Sequence, residues 1–485
     1  MASNSQNHNK NNIKIHEHCK VPPPSSTPTS SLPLTFFDTL WVRFHPVERI
    51  FFYSLQTPLS DPSHFFRKVL PDLKTSLSLT LQHFSPLAGN IVWPSDSSKP
   101  IIQYNPGDAV SVFIAESDTD FDHVLDNSPK EAENSRLLLP HLESSDSLAS
   151  VLSLQITLFP NRGFCIGIAT HHAVFDGKSS TLFIKAWASL CQSLTNGESL
   201  LPSSTLVSKF EPFLDRSVIK DPSEMGLNST PSWTELMMEL FPGESTEKRC
   251  LKILPFHPKL EDKVRATFLL TRGDLEKIKK RVLSKWDIVE QERNHSSKPP
   301  NLSSFVLACA HTLVCIAKAI HGIEKDKEKF GFAFTVDCRS RLEPPIPDNY
   351  FGNCVWGLFV DTEPLDFIKE EGLVIVAKSI HSTIKMMDEK GIFHRYDMLN
   401  RFIDMAKDGV QIMGVAGSNR FGVYGIDFGW GRPSKVEITS VDRSLGIGLA
   451  EGRDGGGGIE VGIVLNKRVM DLFDTLFRRG LCDAK

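Results

Sequence analysis

The sequence predicts a mixed α/β protein built in two halves, and three observations carry that prediction. Residues 151–159 and 164–168 form apolar or alternating runs of the kind that make buried strands. Leu70, Leu73, Leu77, Leu81 and Phe84 recur at helical spacing. From residue 193 to about 234 the chain loses periodicity and gathers Pro, Ser, Asp and Gly, which reads as a crossing between two patterned halves. At 485 residues the chain also exceeds one ordinary core. The expected division is a mobile lead-in over 1–31, one half over 32–195, a linker over 196–234 and a second half over 235–485.

Each element follows from local chemistry. The first helix, spanning the leucines from 70 to 81, is closed by Pro86 and Gly89. Residues 101–104 and 110–114 read as strands. Pro160, Asn161, Arg162 and Gly163 form a turn between the two apolar runs. In the second half a strand is expected over 264–270, followed by a helix capped by Asp274 and running to about Val282. Residues 302–320 are the longest apolar stretch. Ser303, Ser304, His311 and Lys318 interrupt it, so it reads as a buried helix and not a membrane span. Further strands are expected over 330–336, 436–440, 444–450 and 459–464. The four glycines from 455 to 458 lack the Lys and Ser/Thr of a phosphate loop and read as a hairpin turn.

Composition narrows the function. Lys and Arg total 54 against 58 Asp and Glu, a net charge of −4 that offers no general attraction for nucleic acid or an anionic membrane. The nine cysteines are scattered without a Cys-x-x-Cys pair, and the N-terminus has no apolar core of a signal peptide. Both point to reduced thiols and a cytoplasmic setting. The sequons at Asn228, Asn294 and Asn301 then read as chance matches.

The chemistry concentrates in His171-His172-Ala173-Val174-Phe175-Asp176-Gly177, a strand-to-helix turn. His172 carries Asp176 at the fourth place and is the expected base, since imidazole titrates nearest neutrality. His171 would point to the other side of the strand. Adjacent histidines do not easily ligate one ion, and no further ligands stand at zinc-like spacing, so no metal is expected. Asp176 reads as a brace for the loop together with Gly177, paired with Arg339 or Arg341, more than as a relay to the imidazole. Asp427-Phe428-Gly429-Trp430-Gly431 reads as a tight loop pinned by Asp427, with Trp430 bordering an acyl pocket. The basic face of Lys277, Lys280, Arg281 and Lys285, the helix start at Ser303 and Ser304, and Lys178 are candidates to hold the phosphates or acyl group of a carrier. Together these residues point to acyl transfer.

With these motifs the chain resembles the plant BAHD acyltransferases. His172 to Asp176 and Asp427 to Gly431 stand as that family's two signatures, unaltered. Leu34-Thr35-Phe36-Phe37-Asp38, Phe84-Ser85-Pro86-Leu87-Ala88-Gly89, Asp337-Cys338-Arg339-Ser340-Arg341-Leu342 and Tyr350-Phe351-Gly352-Asn353-Cys354 resemble its anthocyanin, flavonoid and phenolic glucoside branch. The resemblance implies two chloramphenicol-acetyltransferase-like domains flanking a solvent channel, with His172 and Asp427 as catalytic residues and no acyl-enzyme. It implies acyl-CoA as co-substrate, malonyl-CoA ahead of coumaroyl-CoA, no permanently bound cofactor and a monomer. The implied acceptor is the sugar 6-hydroxyl of a phenolic, flavonoid or anthocyanin glucoside. Amine N-acylation, and an inactive homologue acting as a binding protein, are the alternatives.

Overall fold

The structure, a computed structural model, describes residues 13–198, 208–221, 249–254, 260–286, 301–394 and 398–482. Three sheets organise them. A six-stranded sheet runs in the spatial order Ile13–Val21, Val110–Ser117, Leu152–Phe159, Gly163–Thr170, Val47–Ser54, Lys435–Ile438. A seven-stranded sheet runs Val355–Phe359, Phe330–Asp337, Gln411–Gly417, Gly446–Glu451, Ile459–Asn466, Lys263–Leu270, Lys130–Glu131. A small four-stranded sheet adds Ile91, Ile102, Tyr104 and Ala149 to the core of the first half. Both large sheets mix parallel and antiparallel neighbours.

The strand Gly163–Thr170 lies inside its sheet, between Leu152–Phe159 and Val47–Ser54, and all eight of its residues are buried. Such a strand has no solvent face, which is why its sequence is nearly continuous in apolar residues. The helix Gly177–Thr195 follows it and buries Phe183, Ile184 and Trp187 against the helix Leu70–His83. In the second half the helix Ser304–Ile323 is long and apolar enough to cross a membrane. Here 78% of its most apolar window is buried, against the helices Gly372–Lys390 and Lys467–Arg479.

The halves trade strands. Lys435–Ile438, late in the chain, completes the edge of the first sheet by pairing with Val47–Ser54. Lys130–Glu131, from the first half, pairs with Lys263–Leu270 at the edge of the second sheet. Core residues trade as well: Val423, Tyr424, Ile426 and Phe428 pack into the first core, whereas Phe36 and Phe37 belong to the second. No boundary near residue 195 or 235 therefore separates two self-contained units.

Several expectations need correction. From residue 13 the lead-in is not loose: Ile13–Val21 and Ser30–Pro33 are strands, and Ile13–Val21 pairs with Val110–Ser117, whereas residues 1–12 lie outside the described residues. It is an edge strand with mostly exposed side chains, so no apolar alternation marks it. The helix expected after Asp274 spans Arg272–Ser284 with Thr271 as its cap, and Asp274 is the third residue of a reciprocal capping box. The strand expected over 436–440 is Lys435–Ile438, followed by a 3-10 turn over Thr439–Arg443. The glycine run does lie between the antiparallel strands Gly446–Glu451 and Ile459–Asn466. The sequons at Asn228 and Asn294, and most of the crossover, fall outside the described residues.

Candidate active site

The strand Gly163–Thr170 ends where the chain must turn into the helix Gly177–Thr195, and both histidines sit in that turn. His171 is fully buried, and its Nδ1 accepts a hydrogen bond of 3.2 Å from the Ala173 N–H. That acceptor role fixes a neutral ring with its proton on Nε2. Burial, with His172 beside it, pulls its pKa down to about 3. His172 is half-buried and turned elsewhere. Its ring stacks on Trp41 at 4.0 Å and 9°, and Phe44 meets it edge-on at 5.6 Å. Nδ1 is buried, whereas Nε2 is not among the enclosed atoms and is the nitrogen left to meet a substrate. Burial lowers the His172 pKa to about 4, against a weaker upward pull from its own backbone carbonyl and Asp176. At neutral pH the ring is therefore an uncharged base with an open lone pair.

Asp176 does not touch that ring. Its Oδ1 accepts from the Ser179 N–H at 2.9 Å, which caps the helix. Its Oδ2 accepts from the Cys354 N–H at 3.1 Å and pairs with the Arg339 guanidinium at 2.9 Å. Both oxygens are thus occupied by structure, and no relay to His172 is formed. Arg341, the other arginine considered, pairs with Asp388. Arg339 is 1% exposed and spreads its fork over Asp176, Asp337 and the carbonyls of Tyr350 and Gly352. Gly177 is closely covered: a Cβ there would stand 2.8 Å from the Phe421 ring and 3.0 Å from the Arg49 guanidinium, so one of those side chains would have to shift.

A second brace reaches the turn from below. Asp38 is fully buried and accepts from the Thr35 N–H, the Thr35 hydroxyl, Arg216, and both the backbone N–H and side-chain amide of Asn353. The same Asn353 amide donates to the His172 carbonyl at 2.9 Å. Arg216, from the crossover, also reaches the Val174 carbonyl. Asp38 and Asn353 lie within motifs that the sequence displayed, but their function was not legible there. Arg216 gave no signal, because it sits in a stretch without periodicity.

The two signatures do not meet. Asp427 accepts from the Gly429 and Gly431 N–H groups at 2.7 and 3.0 Å, so it pins its own loop. Phe428 packs edge-on against Trp187 and Tyr53, and Trp430 against Phe164. A Cβ on Gly429, which has φ +105°, would stand 2.0 Å from the Thr195 hydroxyl oxygen. Phe164 is the second residue of the strand that ends at Thr170, and Thr195 ends the helix that begins at Gly177. At 3.4 Å per strand residue that separates the loop from His172 by about 20 Å. Asp427 is therefore a loop pin and not a partner of the base, and Trp430 does not border a pocket at His172.

The residues proposed to hold the carrier are dispersed. Lys178 is engaged by Asp337 at 3.0 Å and by Asp348, which together raise its pKa despite burial. Lys277 and Arg281 donate to the Leu481 and Gly480 carbonyls, so half of the basic face closes the end of the last helix. Lys280 and Lys285 stay exposed. Ser303 caps the helix Ser304–Ile323 by accepting from the Val306 N–H, and Ser304 accepts from the Asn419 amide. Asn419 is two residues from Phe421, whose ring lies on Gly177. About 7 Å of backbone thus links this helix start to the catalytic turn. Among the described residues no cluster of three or more His, Cys, Asp or Glu could hold a metal.

With this geometry in hand, the comparisons with known proteins decide the family. The transferase family matches residues 11–479. The chain belongs to that family. It is 41% identical over 478 residues, 97% of this chain and 98% of the other, to phenolic glucoside malonyltransferase 1 of Arabidopsis thaliana. It is 36% identical over 476 residues, 97% and 98% of the two chains, to the malonyl-CoA:anthocyanidin 5-O-glucoside-6''-O-malonyltransferase of the same plant. Agmatine coumaroyltransferase, again from Arabidopsis thaliana, is 35% identical over 473 residues, 97% and 99% of the two chains. Among solved structures, vinorine synthase superposes with a TM-score of 0.65 over 95% of this chain and 96% of that one, at 19% identity. The fold is that of the BAHD acyltransferases, and the chain is an acyl-CoA-dependent acyltransferase.

Proposed function

We propose that this acyltransferase moves a malonyl group from malonyl-CoA to the sugar 6-hydroxyl of a phenolic, flavonoid or anthocyanin glucoside, with His172 as general base. The observation that carries the mechanism is the His172 imidazole stacked on Trp41 with Nε2 open, its backbone carbonyl held by Asn353. Nε2 takes the proton as the acceptor oxygen attacks the thioester carbonyl. The tetrahedral oxyanion collapses with loss of the CoA thiolate, and the imidazolium returns its proton. Asp176, Gly177 and Arg339 hold the turn, while Lys280, Ser303 and Ser304 are assigned to the CoA side. Lys178 is the cation for a malonyl carboxylate, which would displace Asp348 or Asp337 from it.

The identity with glucoside malonyltransferases supports the malonyl donor and glucoside acceptor. The likeness to agmatine coumaroyltransferase supports a second reading, aromatic acyl transfer to an amine. We assign the protein to the cytoplasm as a monomer that acts on small molecules, without a membrane or nucleic-acid partner. The deciding experiment measures CoA release with malonyl-CoA or coumaroyl-CoA, offered with a phenolic glucoside or agmatine, beside His172→Ala. Turnover with malonyl-CoA and the glucoside that His172→Ala abolishes is the expected result. Turnover only with coumaroyl-CoA and agmatine replaces the reading with the second one, and turnover with none overturns both.

A further inference from the structure

A cavity of about 480 Å³, its open mouth included, lies away from the catalytic turn and is lined by Ile13, Thr119, His123, Lys130, Asn134 and Glu437 among others. Two lysines converge beside it. The Lys130 Nζ donates to the Val124 carbonyl at 3.0 Å and to the Asp126 carbonyl, at the end of the short helix Phe121–Leu125. The Lys435 Nζ donates to the same two oxygens at 3.1 and 2.8 Å. Only Lys435 has a carboxylate partner, Glu437 at 2.9 Å. Glu437 is also claimed by the Ser135 hydroxyl at 2.9 Å and faces Arg265 at 3.7 Å. The Asp126 carboxylate is turned to Ser128 and the Asn127 N–H, and Glu131 is exposed on the next position of the chain. Arg453 reaches this region through Asn127 at 2.9 Å. Among the described residues no carboxylate stands within ion-pair distance of Lys130.

An amine with no ion pair of its own, held beside an ammonium, is pushed toward its neutral and nucleophilic form, although Glu437 and Asp126 nearby pull the other way. We propose that Lys130 is an acylation site, at which its ε-amine attacks the thioester carbonyl of an acyl-CoA. A C–N bond forms, the C–S bond breaks, and the amine proton leaves with the CoA thiolate as thiol. The lysine stem swings its nitrogen into the cavity for the attack. The product suits the site. The amide N–H can return to a helix carbonyl, and the repulsion between two cations is gone.

Burial and then Lys435 lower the Lys130 pKa to about 7, against weaker upward pulls from Glu437 and Asp126. Near neutral pH a substantial share of the amine is then neutral, against about one part in a thousand for an ordinary lysine. A weaker amine is a poorer nucleophile, as holds for thiols, and that takes back much of the gain. The expected net advantage is about tenfold. The test incubates the full-length protein with acetyl-CoA from pH 6 to 9 and follows each lysine by peptide mass spectrometry. Lys130 should react about tenfold faster than the exposed Lys325, and its own rate should level off before pH 9. Labelling should persist in His172→Ala, vanish from this peptide in Lys130→Arg, and slow in Lys435→Met. Should Lys435→Met fail to fold, the wild-type pH profile decides. A Lys130 rate no greater than that of Lys325, a profile still rising at pH 9, or dependence on His172 would overturn the proposal.

Discussion

Replacing Asn353 by Leu tests whether the catalytic turn is held from its carbonyl side. The two residues have similar volume, so packing changes little and the polar contacts are what is lost. Two bonds go: the amide to the Asp38 carboxylate at 3.0 Å and the amide to the His172 carbonyl at 2.9 Å. The backbone N–H of residue 353 still reaches Asp38, and Arg216 still neutralises it. A bond to a charged acceptor contributes about 1.5–3 kcal/mol, and a buried carbonyl left unpaired costs about 1–3 kcal/mol. Against this, the Asn353 Oδ1 is itself buried without a partner, so removing it gives back part of the loss. The net destabilisation should be about 2–4 kcal/mol, a sizeable share of the 5–15 kcal/mol typical of folded proteins. Freed from Asn353, His172 need drift only about 1 Å to cost up to about 100-fold in rate. Urea unfolding and steady-state CoA release at a temperature where the variant is folded measure the two effects. We expect kcat to fall between about 10- and 100-fold, with the KM for acyl-CoA little changed. A variant that loses stability but keeps its kcat would refute the idea that Asn353 positions the base.

Other outcomes follow from the same structure. Arg339→Lys offers fewer donors in the wrong geometry to a buried carboxylate and two carbonyls, and should cost about 3–5 kcal/mol in urea titrations. Asp427→Ala should lower folded yield yet leave kcat per folded molecule within a few-fold of wild type, because its loop lies about 20 Å from His172. A drop in kcat comparable to that of His172→Ala would contradict this. The pH dependence has a definite sign. His171 and His311 have folded pKa values lowered by burial to about 3 and about 4, so on acidification the unfolded chain gains protons first. Stability should be intact above about pH 6.5 and fall as pH drops from there toward 4, by about 2 kcal/mol per histidine at pH 5. Urea midpoints across pH 5–8 check it. In the same way the acidic limb of kcat/KM should fall near pH 4, where His172 is protonated, and not near 6.5.

Much of this was legible in the sequence, and the failures share a cause. The buried strand and helix around His172 announced themselves by apolar periodicity, because both bury a continuous face. The pairing of Asp176 with Arg339 was also readable as one of two possibilities. What could not be read depends on distant residues meeting. Arg216 stands in a stretch without pattern, and its value comes only from lying 2.6 Å from Asp38. Ile13–Val21 is polar on its open side and hides its strand character. Asp427 read from its own residues as a loop pin, and only the family resemblance set it beside the base, because motifs carry no distance information. Its separation from His172 is set by the length of one strand and one helix.

The exchange of edge strands bears on how the chain folds as it is made. Val47–Ser54 leaves the ribosome early, but the strand that seals its open side comes far later. Ser54 meets Ser434, which lies 380 positions down the chain. At about 5–20 residues per second, the first sheet spends about 20–80 s of synthesis with an apolar edge uncovered. During that interval a neighbouring nascent chain could dock there in place of the native strand. Shortening the wait, by circular permutation that brings Lys435–Ile438 ahead of Val47–Ser54, should raise soluble yield without touching a single catalytic residue.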